Sequence, residues 1–190
     1  MNTVRAFFAI KPPEAMLEPL AMILRLLSRT ASKYDIRWVK PEQLHITLQF
    51  LKNINLEDID PLIKKTQVEL ASNPAFQIEL GGLEWFPSLE HPKIISLGVG
   101  PQQTLRELSS KLGQLISDFN YPVETRRYKG HMTLGRLPPH HIQKMQLPLI
   151  TLPKIPVATI HQFYLMESKP EKGRGTYCSL AQFDLAACSQ

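Results

Sequence analysis

His45-Ile46-Thr47-Leu48-Gln49-Phe50-Leu51 opens with a polar–apolar alternation, and His131-Met132-Thr133-Leu134 repeats its first four positions much later in the chain. Alternation with a period of two marks a half-buried strand. On such strands His45 and Thr47 share one face and Ile46 and Leu48 the other, while His131 and Thr133 likewise oppose Met132 and Leu134. One face is fit for packing; the other presents an imidazole and a hydroxyl roughly 6–7 Å apart along the backbone. A shuffled chain of this composition gives two His-x-Thr-Leu tetrapeptides only about once in a thousand trials, so the pair carries weight that neither copy has alone.

Around these segments the chain reads as strands interspersed with helices. Thr3 to Ile10 predicts a strand with Val4, Ala6, Phe8 and Ile10 on one face and Arg5 and Phe7 on the other. Leu17, Leu20, Leu24 and Leu27 recur at helical spacing between Glu14 and about Ser32, with Pro19 limiting where the regular helix begins. Arg37 to Pro41 reads as a short extended piece. A second helix is predicted from Leu56 to Ala71 on Ile59, Leu62, Ile63, Thr66 and Leu70. A third runs between Gln102 and Phe119 on Leu105, Leu108, Leu112, Leu115, Ile116 and Phe119, with Pro101 at its start. Further strands are expected at Phe76 to Leu80, ended by Gly81-Gly82, and at Lys93 to Val99. Two more, Pro156 to Glu167 and Thr176 to Leu185, are joined by a polar loop from Ser168 to Gly175. His140 to Gln146 is a short polar helix candidate. No low-complexity linker divides the chain, so two lobes would be tightly associated, with a soft boundary near residues 81–93.

The 190 residues are 43% hydrophobic and 21% charged, the composition of an ordinary globular protein and not of a disordered or membrane-spanning one. Arg5 interrupts the apolar start and Lys11-Pro12-Pro13 ends it, so no signal peptide is expected. Cys178 and Cys188 form neither a disulfide framework nor a zinc cluster, and a reducing cytoplasm is the expected compartment. A net charge of +5 suits a polyanionic partner without requiring one.

An imidazole and a hydroxyl from each of two strands supply a base, an acid and two neutral donors, the set that breaking a phosphodiester needs. Metal binding is the rival use of histidine. There is no His-Glu-x-x-His and no His-x-His with a nearby carboxylate, and neither segment contains Asp or Glu, so no metal is assigned. His91, between Glu90 and Pro92, and His140-His141, after two prolines, read as exposed turn residues. His161 sits in a strand candidate without a functional reading. Gly173-Arg174-Gly175 lacks the spacing of a phosphate-binding glycine loop, and Lys172 and Arg174 suit either a backbone phosphate or a solvated basic turn.

At these residues the chain resembles the 2H phosphoesterase superfamily and, within it, the RNA 2′,3′-cyclic phosphodiesterases, also known as LigT-type 2′,5′ RNA ligases. The resemblance runs from Arg5-Ala6-Phe7-Phe8-Ala9-Ile10 through Arg37-Trp38-Val39, Leu44 to Leu51, Phe86-Pro87 and His131 to Arg136. It ends in Ser168, Gly175, Tyr177, Leu180 and Phe183. It implies an α+β, bilobal duplicated fold of two mainly antiparallel sheets with outer helices and a central cleft. Residues 1–190 would then be a single domain of two pseudo-symmetric lobes, each contributing one His-x-Thr motif. The implied reaction opens a terminal 2′,3′-cyclic phosphate of RNA to a 2′-phosphomonoester with no metal and no cofactor, and a reversible 2′,5′ RNA ligase activity would accompany it. By the same resemblance His45 and His131 are the acid–base pair, Thr47 and Thr133 bind the non-bridging phosphate oxygens, and Arg136 supplies positive charge. Phe50, at the position matching Arg136, contacts the nucleoside. The implied partner is RNA with a 2′,3′-cyclic phosphate end, tRNA fragments among the candidates, acted on by a cytoplasmic monomer without membrane contact. Hydrolysis of a small nucleotide or ADP-ribose cyclic phosphate, or a non-catalytic nucleotide- or RNA-binding module, are the alternatives.

Three details follow from the motifs. An offset of five changes face in an unbroken strand, so Arg136 and Phe50 join their histidines only if each strand carries a bulge or an end, and Gly135 suits one. Gly130 stands where members of the family often have proline, which is expected to loosen the start of the strand. Ring opening needs one neutral and one protonated histidine. Taking His131 as base and His45 as acid is a working assignment that near-equivalent motifs do not fix.

Overall fold

The computed structural model describes residues 2–32, 34–138, 147, 150–171 and 174–187, with backbone alone at 170–171 and 174–175. Its elements are β1 (Thr3–Ile10), α1 (Glu14–Thr30), β2 (Arg37–Trp38), a 3₁₀ turn (Pro41–Gln43), β3 (Ile46–Asn55), α2 (Leu56–Leu70), β4 (Phe76–Phe86), β5 (Ile94–Gly100), α3 (Gln102–Asp118), β6 (His131–Arg136), β7 (Ala158–Ile160), β8 (Gln162–Glu171) and β9 (Arg174–Asp184). The helix candidate His140–Gln146 lies outside the described residues, as do Lys172, Gly173, Cys188 and the side chain of Arg174. No helix among the described residues is long and apolar enough to cross a membrane.

The periodic apolar residues form the buried faces of the three helices: Leu20, Leu24 and Leu27 in α1, Ile59, Leu62 and Leu70 in α2, and Leu105, Leu108, Leu112 and Leu115 in α3. They join Ala6, Phe8 and Ile10 of β1, Ile46 and Leu48 of β3, and Met132 and Leu134 of β6 in one core. Leu17 departs from its stripe and is 42% exposed, while its neighbour Met16 is buried. α1 starts at Glu14 and runs through Pro19. The opposite face of β1 carries a separate small cluster, Phe7 and Ala9 with Met166, against which Tyr164 and Tyr177 pack. That division by strand parity separates the structural face of the sheet from the face that bears the site.

All paired strands are antiparallel, in the order β7-β4-β5-β6-β3-β1-β8-β9, with β2 also pairing to β6. The two halves meet through one register pair, Ile46 with Met132. The expected two sheets are therefore halves of one hydrogen-bonded sheet joined at a narrow seam. β7 and β8 lie near opposite ends of this order, yet only His161 separates them, so the sheet has to curl until its ends approach. Hydrogen bonds fasten the approach: Leu185 N–H donates to the His161 carbonyl, Ala75 N–H to that of Ala186, and Ala186 N–H to that of Asn73, each at 2.8 Å.

Three sequence expectations are corrected. Gly81-Gly82 does not end β4; the register against β5 slips between Leu80 and Leu83, so the glycines sit in an irregularity inside a longer strand. The strand expected over Pro156–Glu167 divides at His161, because its partner changes from β4 to β1 and β9. Most of the polar loop from Ser168 to Gly175 is hairpin, paired as far as Glu171 with Arg174. Backbone groups make a ladder, so a polar hairpin arm lacks the apolar alternation by which strands are read.

Candidate active site

The seam sets the two motifs beside each other. One residue to either side of Ile46 and Met132, the antiparallel register puts His45 opposite Thr133 and Thr47 opposite His131. Regular cross-strand neighbours have Cβ atoms about 4.5–5.5 Å apart. β3 and β6 then part company. The chain leaves the ladder after β2, passes through the 3₁₀ turn and returns at Ile46, while the Thr47 carbonyl accepts a hydrogen bond from the Tyr128 hydroxyl at 2.9 Å. The face that carries His45, Thr47, His131 and Thr133 thus opens at the point where strand pairing stops.

Both strands contain the irregularity that Phe50 and Arg136 require, and at the same motif position. Consecutive residues Phe8 and Ala9 of β1 oppose Gln49 and Thr47, leaving Leu48 as the extra residue. In β6, Ile95 and Ser96 oppose Gly135 and Thr133, leaving Leu134 extra. Each bulged carbonyl is satisfied: that of Leu48 accepts from the buried Ser109 hydroxyl at 2.8 Å, and that of Leu134 from Val39 N–H at 2.8 Å. Gln49 turns with Leu48 toward the helices, donating to the Ser109 carbonyl at 3.1 Å. Gly135 faces the packed side, where a Cβ would stand 2.7 Å from Ile36 and 2.8 Å from Trp38. The next residue of each strand, Phe50 or Arg136, is thereby returned to the face of its histidine.

The imidazoles are held alike. His45 Nδ1 lies 2.7 Å from the Gln43 carbonyl and His131 Nδ1 lies 2.9 Å from that of Lys129, in both cases two residues back. A carbonyl only accepts, so Nδ1 carries hydrogen in each ring and Nε2 is the nitrogen left to exchange a proton. Their surroundings differ. Phe7 and Tyr177 flank His45 at ring separations of 5.0 and 5.2 Å, whereas Phe86 stacks on His131 at 3.8 Å. Burial is the main cause holding both imidazoles below the ordinary value; Arg136 and His131 add to the effect on His45, and Lys129 and Arg136 to that on His131. The Glu84 carboxylate opposes it at His131 alone.

Arg136 is exposed and acts electrostatically on both histidines, which puts its charge at the shared mouth of the two motifs. Phe50, 37% exposed, stacks on Phe7 at 5.8 Å with the planes 9° apart, and the Arg5 guanidinium lies 5.8 Å from its ring. Gly130 is not loose: the Gln102 side chain accepts from its N–H at 2.9 Å and donates to its carbonyl at 2.8 Å. A Cβ there would come within 2.8 Å of Leu105. Fixing Gly130 fixes the approach to His131.

The sequence reading brought forward His45, His131, Thr47, Thr133, Arg136 and Phe50, and all six lie on or border this one face. It passed over the site roles of Phe7, Tyr177, Phe86, Tyr128 and Glu84. Phe7 had a legible signal, an aromatic residue on the strand face opposite the core. Tyr128 and Glu84 had none, since they reach the site from a connecting segment and a neighbouring strand.

The model of LigT-like phosphoesterases matches residues 10–96, which include the first motif. The RNA 2′,3′-cyclic phosphodiesterase of Archaeoglobus fulgidus is 28% identical over 134 residues, covering 70% of this chain and 73% of its own length. The protein of the same name from Bacillus subtilis is 33% identical over 101 residues, 53% of this chain and 55% of its own. The crystal structure of E. coli LigT complexed with 3′-AMP superimposes with a TM-score of 0.77 at 23% identity, covering 97% of this chain and 99% of that one, a likeness of fold. The matched region and these relatives are those of LigT-like phosphoesterases, which this chain resembles in sequence, and it shares the fold of E. coli LigT.

Proposed function

We propose that the protein is an RNA 2′,3′-cyclic phosphodiesterase that hydrolyses a terminal 2′,3′-cyclic phosphate to a 2′-phosphomonoester by acid–base catalysis between His45 and His131. The observation that carries this is the matched tethering of the two imidazoles, each with Nδ1–H given to a backbone carbonyl and Nε2 left for the reaction. Water attacks phosphorus, its proton passes to the neutral Nε2, the P–O3′ bond breaks, and the protonated Nε2 gives its hydrogen to O3′. Thr47, Thr133 and Arg136 stabilise the charge that builds on the non-bridging oxygens. Phe50, backed by Phe7, stacks with the terminal nucleoside. No step in this scheme calls on a metal or a cofactor. Ligation to a 2′,5′ linkage follows the same path with a 5′ hydroxyl attacking in place of water and O3′ again leaving, and its reversal cleaves that linkage. The enzyme so described acts as a cytoplasmic monomer on RNA ends, such as those of cleaved tRNA.

The test is incubation of the purified protein with an RNA ending in a 2′,3′-cyclic phosphate, without metal or ATP. Chromatography should identify a 2′-phosphate product. His45→Ala and His131→Ala should each lower turnover by about 10²–10⁴. Full activity in either variant, or dependence on added metal after chelation, overturns the proposal. Turnover of a small cyclic nucleotide in preference to RNA would redirect it to the alternative substrate class.

A further inference from the structure

Glu84 is the one carboxylate acting on either histidine among the described residues. It lies in β4, two strands from His131, with its register partner Ser96 opposite Thr133. Its Oε2 accepts from Lys129 Nζ at 2.7 Å, and Lys129 is also the residue whose carbonyl holds His131 Nδ1. Its Oε1 is buried and has no hydrogen-bond partner. That oxygen rests over Gly98, 3.6 Å from where a Cβ would stand, and Gly98 is the register partner of His131. Phe86, two residues further along the same face of β4, stacks on the imidazole. A buried carboxylate oxygen without a donor is costly to keep. Its field, unscreened by water, is strongest where it lies.

We propose that Glu84 is a positioning residue that breaks the symmetry of the two motifs: anchored by Lys129 and buried over Gly98, its carboxylate keeps His131, rather than His45, as the imidazolium of the pair. The charged side chains acting on His131 are Glu84 from β4, Lys129 from the segment before β6 and Arg136 from the end of β6. The Lys129 carbonyl also favours the cation but has its counterpart at His45 in that of Gln43, so among the charged side chains Glu84 alone favours the cation and at His131 alone. At His45 the charged neighbours are Arg136 and His131, and both disfavour it. When the pair shares one proton it therefore resides on His131. In the hydrolytic direction His131 then gives the proton to O3′ and His45 takes that of water, the reverse of the working assignment. The catalytic meaning of this inference rests on the acid–base reading above, whereas its test does not.

The test is an NMR titration of the two imidazoles in the full chain, with no substrate. Glu84→Gln should lower the His131 midpoint by about one pH unit and move that of His45 far less. Lys129→Met removes a cation and should move the His131 midpoint upward, opposite in sign. Glu84→Asp should restore part of the wild-type value. An unmoved His131 midpoint, equal shifts at both histidines, or shifts of the same sign in the Gln and Met variants would overturn the proposal. If Glu84→Gln does not fold, Glu84→Asp decides: its shorter carboxylate should lower the His131 midpoint by a smaller amount, and a midpoint left at the wild-type value overturns the proposal. Because protons are read directly, failure here is distinct from failure to cleave a cyclic phosphate.

Discussion

Removing one oxygen atom tests whether the end of strand pairing at the seam matters to the site. In Tyr128→Phe the ring stays and the hydroxyl that donates to the Thr47 carbonyl at 2.9 Å is lost. The ring is half-buried and its phenol is held well above the usual range by burial, so it remains a donor throughout the working pH range. Leaving the carbonyl without its partner costs about 1–3 kcal/mol. In a domain of this size each kcal/mol corresponds to about 2–4 °C, so the melting temperature should fall by about 2–12 °C. The lost bond also frees Thr47, whose hydroxyl belongs to the phosphate site in the proposed mechanism. A several-fold loss in kcat/KM on a short RNA with a cyclic phosphate end should accompany the lower Tm. Tyr121→Phe is the control, since it loses a bond from Asn55 N–H at 3.0 Å and one to Asp58, remote from the motifs. It should lower Tm and leave kcat/KM unchanged. If Tyr128→Phe melts with the wild type, or loses stability with no kinetic change, the link drawn between the seam and the site is wrong.

Gly135→Ala should destabilise by about 1–3 kcal/mol, because the new methyl meets Ile36 and the ring of Trp38 at less than contact distance; unfolding in urea with unchanged slope measures it. Phe50→Ala should raise KM about fivefold or more by removing a base-stacking ring, with little change in Tm, and an unchanged KM would remove Phe50 from nucleoside binding. Both imidazoles are held below the ordinary value of about 6.5, so the unfolded chain takes up protons first as pH falls. The stability they contribute is present above about pH 6.5 and is lost as pH drops through their folded values. Tm should decline across that window and His45→Gln should flatten the decline; a Tm profile that His45→Gln leaves unaltered counts against it.

The helices were legible because each has to bury a stripe, and a stripe leaves a period in the sequence. Leu105, Leu108, Leu112 and Leu115 announce α3 without any knowledge of what they pack against. The motif strands were legible for the same reason at a period of two. Strand parity required a bulge or an end in each motif strand, since Phe50 and Arg136 otherwise fall on the wrong face, but not where; the bulges lie at Leu48 and Leu134. What could not be read were features made between distant segments. The pairing of Ile46 with Met132 unites two sheets into one, and no local pattern encodes which strands become neighbours. The polar hairpin arms of β8 and β9 are set by backbone pairing, which side-chain polarity conceals. Glu84 lies far from either motif along the chain, and Tyr128, just before His131, bonds to the motif 81 residues away, so only folding makes these contacts.

The position of β1 between β3 and β8 has a consequence for assembly. Phe7 comes from the first strand and Tyr177 from the last, and both flank His45. The surroundings of that imidazole therefore do not exist until both strands have been synthesised, and no fragment lacking either strand presents them. Contacts of such long sequence separation form late and slowly. Amide exchange around His45 should thus follow global opening, not a local fluctuation, making the centre of the site as durable as the fold.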